Sequence, residues 1–139
     1  MRSESTSQEP INKLEWNTNY SVGYTAMDKQ HQILFDVINH LVSAQETPLT
    51  HEELRTILNE LQTYSEAHFE AEEKLMKLMD YSELDAHQRA HEVYREKIIQ
   101  FGVRLDEGVP DVDLKLLHFL YSWWNDHVQV IDKGYARQS

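Results

Sequence analysis

The stretch LDAHQRAHEVYREKIIQFGVRL, residues 84–105, decides the fold. Its positions 84, 87, 91, 94, 98, 101 and 105 recur at alternating steps of three and four, the buried stripe of a 3.6-residue helix. Leu84, Tyr94, Ile98, Phe101 and Leu105 suit such a stripe. His87 and His91 do not, because a buried imidazole costs free energy unless something satisfies it. The segment therefore predicts an amphipathic helix carrying two polar groups where its packing seam should be apolar.

The same pattern extends outward in both directions. A helix is expected over about 26–44 on Met27, Leu34, Phe35, Ile38, Leu41 and Val42, followed by a break at 45–49 that holds Pro48. Thr50 with Glu53 forms a capping-box pattern. The helix it opens runs to about residue 79 through Leu54, Ile57, Leu61, Tyr64, Leu75 and Met76. A turn follows at 80–82, with Ser82 and Asp85 resembling an N-cap for the histidine-bearing helix. Gly108 to Pro110 ends that helix, and Asp111 is placed to cap a fourth. This last helix contains Leu116, Leu120, Trp123, Val128 and Ile131 and stops near Gly134. Four amphipathic helices with short loops predict an all-α fold, an antiparallel up-down-up-down four-helix bundle. Residues 1–10 read as a disordered tail and 11–139 as one domain, with an irregular arm at 11–24 whose Trp16, Tyr20, Val22 and Tyr24 should pack on the bundle.

Composition narrows the function. The 139 residues are enough for one domain with a proper core. A net charge of −11 argues against a nucleic-acid partner, which requires clustered positive charge, and against an anionic membrane surface. No cysteine is present, which removes disulfides, thiolate zinc sites, Fe–S clusters and cysteine nucleophiles. The N-terminal ten residues lack an apolar signal core, and no run approaches the roughly 18 apolar residues of a membrane span. The expected compartment is the cytoplasm.

Eight histidines are many for this length. His31 lies in the row Met27, His31, Leu34, Phe35, Ile38. His68 and Glu72 continue the row Leu54, Leu61, Tyr64, and His127 continues Leu116, Leu120, Trp123. Every helix thus turns at least one histidine inward, and none of these seams carries Lys or Arg. A buried carboxylate needs positive charge close by. A bound cation supplies it and satisfies the imidazoles together, and residues four apart on a helix face one metal, as in His68–Glu72 and His87–His91. A lone seam histidine is usually a hydrogen-bonded core residue, but that reading does not account for four helices at once. His40, His51 and His118 lie off these seams and are read as surface or outer-layer residues. Asp132, five residues after His127, falls about 140° round a regular helix, so periodicity leaves it open unless the helix unwinds or forms a π-bulge. Imidazole with carboxylate suits Zn, Fe, Cu or Ni. The donors are too many for one tetrahedral zinc, and they suit two octahedral ions.

Taken in order, His31, His68-x-x-x-Glu72, His87-x-x-x-His91 and His127-x-x-x-x-Asp132 resemble the hemerythrin family, its bacterial branch in particular. Trp16, Val22-Gly23, Asp28, Leu34-Phe35, Phe69, Glu73, Met76, Trp123 and Tyr135 extend the resemblance over about residues 14–135. It implies two iron ions in an oxo- or hydroxo-bridged centre that binds O2 reversibly. It implies that His87, His91 and His127 hold one iron and His31 and His68 the other, with Glu72 and Asp132 bridging. On that count the two-histidine iron keeps the open position. Phe35, Phe69, Trp123 and Ile131 are candidates for a dry wall around the O2. Trp124 departs from the family, which usually has an aliphatic residue there. Either its ring narrows O2 access or it turns outward against a neighbouring helix.

The resemblance implies an O2-binding protein (carrier, store or sensor) and not an enzyme, with weak oxidase or peroxidase side activity. The competing expectations are a di-iron oxidase or peroxidase, an iron-storage or detoxification protein, and a metal-free interaction bundle. The recipient of the O2 would be a separate O2-using enzyme or signalling partner.

Overall fold

In the computed structural model, which describes residues 11–14 and 25–126, four helices follow one another with no strand among the described residues. They are α1 (Thr25–Ser43), α2 (His51–Leu78), α3 (Leu84–Asp106) and α4 (Val112–Trp123). Helix α1 packs on α2 and α4, and α3 packs on the same two. Diagonal neighbours make less contact than any of these pairs, so the four enclose a central seam. That is the predicted bundle.

The helix ends explain where the chain turns. The box at the start of α2 is as expected: the Glu53 amide donates to Thr50 Oγ1 at 3.1 Å and the Thr50 amide to Glu53 Oε1 at 3.2 Å. Helices α2 and α3 both end in Schellman turns. After α3, Gly108 takes φ +77°, and the amides of Gly108 and Val109 return to the carbonyls of Leu105 and Arg104. After α2, Asp80 occupies the same left-handed position at φ +52°, and Tyr81 bonds back to Met76 and packs on its side chain.

Two expected caps are corrected. The residue before α3 is Glu83, with no side-chain cap, because after the tight return of the α2 turn the chain enters helix only at Leu84, two residues after Ser82. Asp111 does precede α4, but in a left-handed conformation (φ +61°) and without a side-chain cap bond to the helix amides. The buried Asp113 does the local work, accepting from the amides of Leu114 (2.9 Å) and Leu49 (3.2 Å) and so tying the α1–α2 loop to the start of α4. Beyond Trp123 the α-helix gives way to a π-helical turn at 124–126, and the predicted continuation through Ile131 to Gly134 lies outside the described residues.

The core is continuous. Leu34, Ile38 and Leu41 of α1, Leu61 and Phe69 of α2, Tyr94 of α3, and Leu116, Leu120 and Trp124 at the end of the chain described are all sealed from solvent. Residues 11–14 run along α1, held by two side-chain amides that imitate strand pairing. Gln45 exchanges two 2.7 Å bonds with the Ile11 backbone, and Asn39 exchanges bonds of 2.6 and 2.9 Å with Leu14. The aromatic residues expected to anchor the rest of the arm, and the tail at 1–10, lie outside the described residues.

Candidate metal centre

The antiparallel order brings the start of α1, the second half of α2, the first half of α3 and the end of α4 to one end of the bundle. His31, His68, Glu72, His87 and His91 meet there, none more than 1% exposed. Two donor groups form among the described residues. The first is His31, His68 and Glu72; the second is Glu72, His87 and His91; within each, the donor atoms lie within 4.8 Å of one another. The imidazole Nε2 atoms of His31 and His68 approach to 3.2 Å. Glu72 is shared, with one oxygen 3.1 Å from His68 Nε2 and the other 2.7 Å from His87 Nε2 and 3.1 Å from His91 Nε2. One carboxylate thus faces two sets of imidazoles, one oxygen to each.

The donor chemistry fits a pair of cations. All four rings present Nε2 to a shared carboxylate or to a second imidazole. Glu73 shows why His91 presents that nitrogen: its carboxylate accepts from His91 Nδ1–H at 2.7 Å, which fixes the tautomer and leaves the Nε2 lone pair facing inward. Gln88 steadies the other Glu73 oxygen at 3.3 Å. In the sequence, Glu73 is visible only as part of the family resemblance. It sits 100° from the seam of its own helix, where periodicity predicts an outward side chain.

Aromatic rings close the site. Phe69 stacks face to face on His91 with ring centroids 3.8 Å apart, and Tyr64 stacks on His68 at 5.3 Å. Trp124 is fully buried, edge-on to His31 at 6.4 Å and to Phe35 at 5.8 Å. Of the two readings for this ring, the outward one is therefore overturned. Trp123, half-buried, lies against Phe69 at 6.0 Å and His91 at 6.5 Å. Of the expected site residues, His127, Ile131 and Asp132 lie outside the described residues. The π-helical turn at 124–126 immediately precedes His127, earlier in the helix than the unwinding considered near Gly134. Of the other histidines, His40 and His51 are exposed, with His51 3.5 Å from Asp106. His118 is half-buried, and burial lowers its pKa.

Residues 22–138 match the family described as the hemerythrin HHE cation binding domain. The chain is 30% identical over 125 residues to the bacteriohemerythrin of Stenotrophomonas maltophilia, covering 90% of this chain and 80% of that protein. It is 32% identical over 123 residues to the bacteriohemerythrin of Pseudomonas aeruginosa, covering 88% and 79%. Hemerythrin subunit 1 of Golfingia vulgaris is 28% identical over 120 residues, covering 86% and 88%.

Proposed function

We propose that this chain, which belongs to the hemerythrin family, binds O2 reversibly at a non-haem di-iron centre, as an oxygen carrier, store or sensor and not as an enzyme. The observation that carries the reading is Glu72, buried between two histidine groups with one oxygen directed at each. His31 and His68 would hold one iron, His87 and His91 the other, and Glu72 would bridge them. His127 and Asp132 complete the set by their match to the family motif. Bound iron would supply the electrons and the open coordination position that O2 requires. The protein's part is to aim the donors and keep water out. Glu73 holds His91 in the metal-ready tautomer, and Phe69 and Tyr64 pin the imidazole planes.

On the two-histidine side, Trp124 and Phe35 fill the space beside His31. We assign Trp124 the role of narrowing O2 access there, since a buried indole next to His31 leaves less room than an aliphatic side chain. Trp124→Leu is expected to raise the O2 association rate and change autoxidation; unchanged rates would remove that role. An oxidase or peroxidase reading draws no support from these walls, which set ring against ring around the donors. No described helix is long and apolar enough to cross a membrane. The proposed setting is the cytoplasm, with delivery to a separate O2-using or signalling protein.

The deciding experiment is anaerobic loading with Fe(II), then addition and removal of O2. Two irons per chain and a colour that appears and disappears with O2 are expected. Irreversible oxidation, or a folded chain that takes up no iron, would overturn the proposal.

A further inference from the structure

Arg95 belongs to neither donor group, yet two bonds hold it in one place beside them. It follows His91 by one turn of α3, so the two side chains leave the helix on the same side. Its Nε donates to Glu66 of α2 at 3.1 Å, and its Nη1 donates to Glu92, one turn back on α3. With both bonds in place, the guanidinium carbon lies over the Phe69 ring, 5.2 Å from its centre. Phe69 is sealed from solvent and stacks on His91, with ring centroids 3.8 Å apart and planes 6° from parallel. A fixed positive charge therefore touches the ring that touches a metal donor.

Two features set this arrangement apart from a surface ion pair. The Glu66 and Glu92 side chains are 63% and 67% exposed, so water screens them, whereas the Arg95 side chain is 27% exposed and rests on a buried ring. The acids offset only part of the positive charge felt inside. An aromatic face, moreover, is electron-rich, and it both attracts a cation and is polarised by it. A ring whose π-density is drawn toward the guanidinium has less to offer the imidazole stacked on it. The field of the charge and the polarised ring act in the same sense: each disfavours further positive charge at His91.

We propose that Arg95 tunes the metal centre, acting through Phe69 on His91 as a positioning residue whose charge favours ferrous over ferric iron. The inference rests on the O2-binding reading, in which ferrous iron is the state that takes up O2. Arg95 then slows the drift of the centre into an inert ferric state.

The midpoint potential of the iron-loaded protein is the test, with thermal melting measured beside it. Arg95→Met keeps the apolar stem and removes the charge. Loss of one partly desolvated cation–π contact should shift the ferric-to-ferrous ratio by about two- to tenfold, which is a fall of roughly 20–60 mV per electron. Aerobic conversion to the ferric form should quicken. Arg95→Lys keeps the charge without the fork that grips both acids, so it should restore the potential even where it melts lower. With Phe69→Leu as the background, Arg95→Met should move the potential by clearly less, because the ring between charge and imidazole is gone. In the metal-free chain, the Arg95 side-chain protons should show a ring-current shift in NMR spectra that Phe69→Leu abolishes; its absence would remove the contact itself. An unchanged potential in Arg95→Met, or equal shifts in the Met and Lys variants, would make Arg95 a structural clamp and overturn the tuning. Equal effects with and without the Phe69 ring would overturn the route through it. A folded chain that takes up no iron would overturn the O2-binding reading and the tuning together, so the iron content tells the two failures apart.

Discussion

Glu73→Ala would remove the carboxylate on which His91 depends, and the structure sets the size of the effect. The Glu73 Oε2 to His91 Nδ1 bond is 2.7 Å, His91 is fully buried, and the Glu73 side chain is only 19% exposed, so solvent replaces little of what is lost. A hydrogen bond to a charged group in such a setting contributes about 1.5–3 kcal/mol. At about 1.4 kcal/mol per factor of ten, its loss should weaken metal binding by roughly 10- to 100-fold, the range typical for partners that orient metal-ligating histidines. The mechanism is the tautomer: with no acceptor at Nδ1, the ring can place its proton on Nε2 and turn the wrong face to the metal. Glu73→Gln keeps an acceptor oxygen but loses the charge, and should fall between wild type and Glu73→Ala. Competition between the protein and a chelator for Fe(II) under anaerobic conditions measures the constant, with circular dichroism checking that each variant is folded. If folded Glu73→Ala binds metal within a factor of two of wild type at the same stoichiometry, Glu73 does not position His91, and the orientation argument fails.

Other consequences of the packing are as direct. Trp124→Ala empties a fully buried indole from the core beside His31 and should cost about 3–5 kcal/mol, read as a lower urea midpoint. Asp113→Ala removes the acceptor from the part-buried amides of Leu49 and Leu114 and should cost about 1–3 kcal/mol in the same assay, with the loss concentrated at the bundle end opposite the metal centre. At Gly108 an added methyl meets nothing within 4 Å, so Gly108→Ala isolates backbone strain at φ +77° and should cost about 1–2 kcal/mol. Burial raises the pKa of Tyr94 above the ordinary phenol value, with the Ser65 hydroxyl a smaller opposing influence. Folding therefore favours the neutral phenol. That stability is complete below about pH 10 and is lost as pH rises further, so Tyr94→Phe should resist alkaline unfolding better than wild type in a pH series of urea titrations.

Much of the molecule can be read from periodicity. The stripe at 84, 87, 91, 94, 98, 101 and 105 is buried at every position but the partly covered Leu84. The histidines on the described seams are buried, and His40 and His51, off the seams, are exposed. The Thr50–Glu53 box is likewise local, because both of its bonds form within one helical turn. Caps were less legible. Ser82 and Asp111 have the right side chains, but the N-cap position of α3 falls on Glu83, and Asp111 precedes α4 in a left-handed conformation without a side-chain cap bond.

The sequence by itself determined four helices, a seam with histidines and a glutamate in it, and a donor set without thiolate, because hydrophobic period and ligand chemistry are properties of residue order. Tertiary structure decided what a helical wheel does not contain. Periodicity fixes the angle of a side chain about its own axis, but not which neighbouring helix comes near or how closely. Glu73 and Phe69 stand about 100° from the seam positions beside them, yet α3 lies close enough for one to grip His91 and the other to stack on it. The direction of Trp124 was settled in the same way. Adjacent to Trp123 and at the start of a π-helical turn, it points inward because the space between His31 and Phe35 is there to receive it.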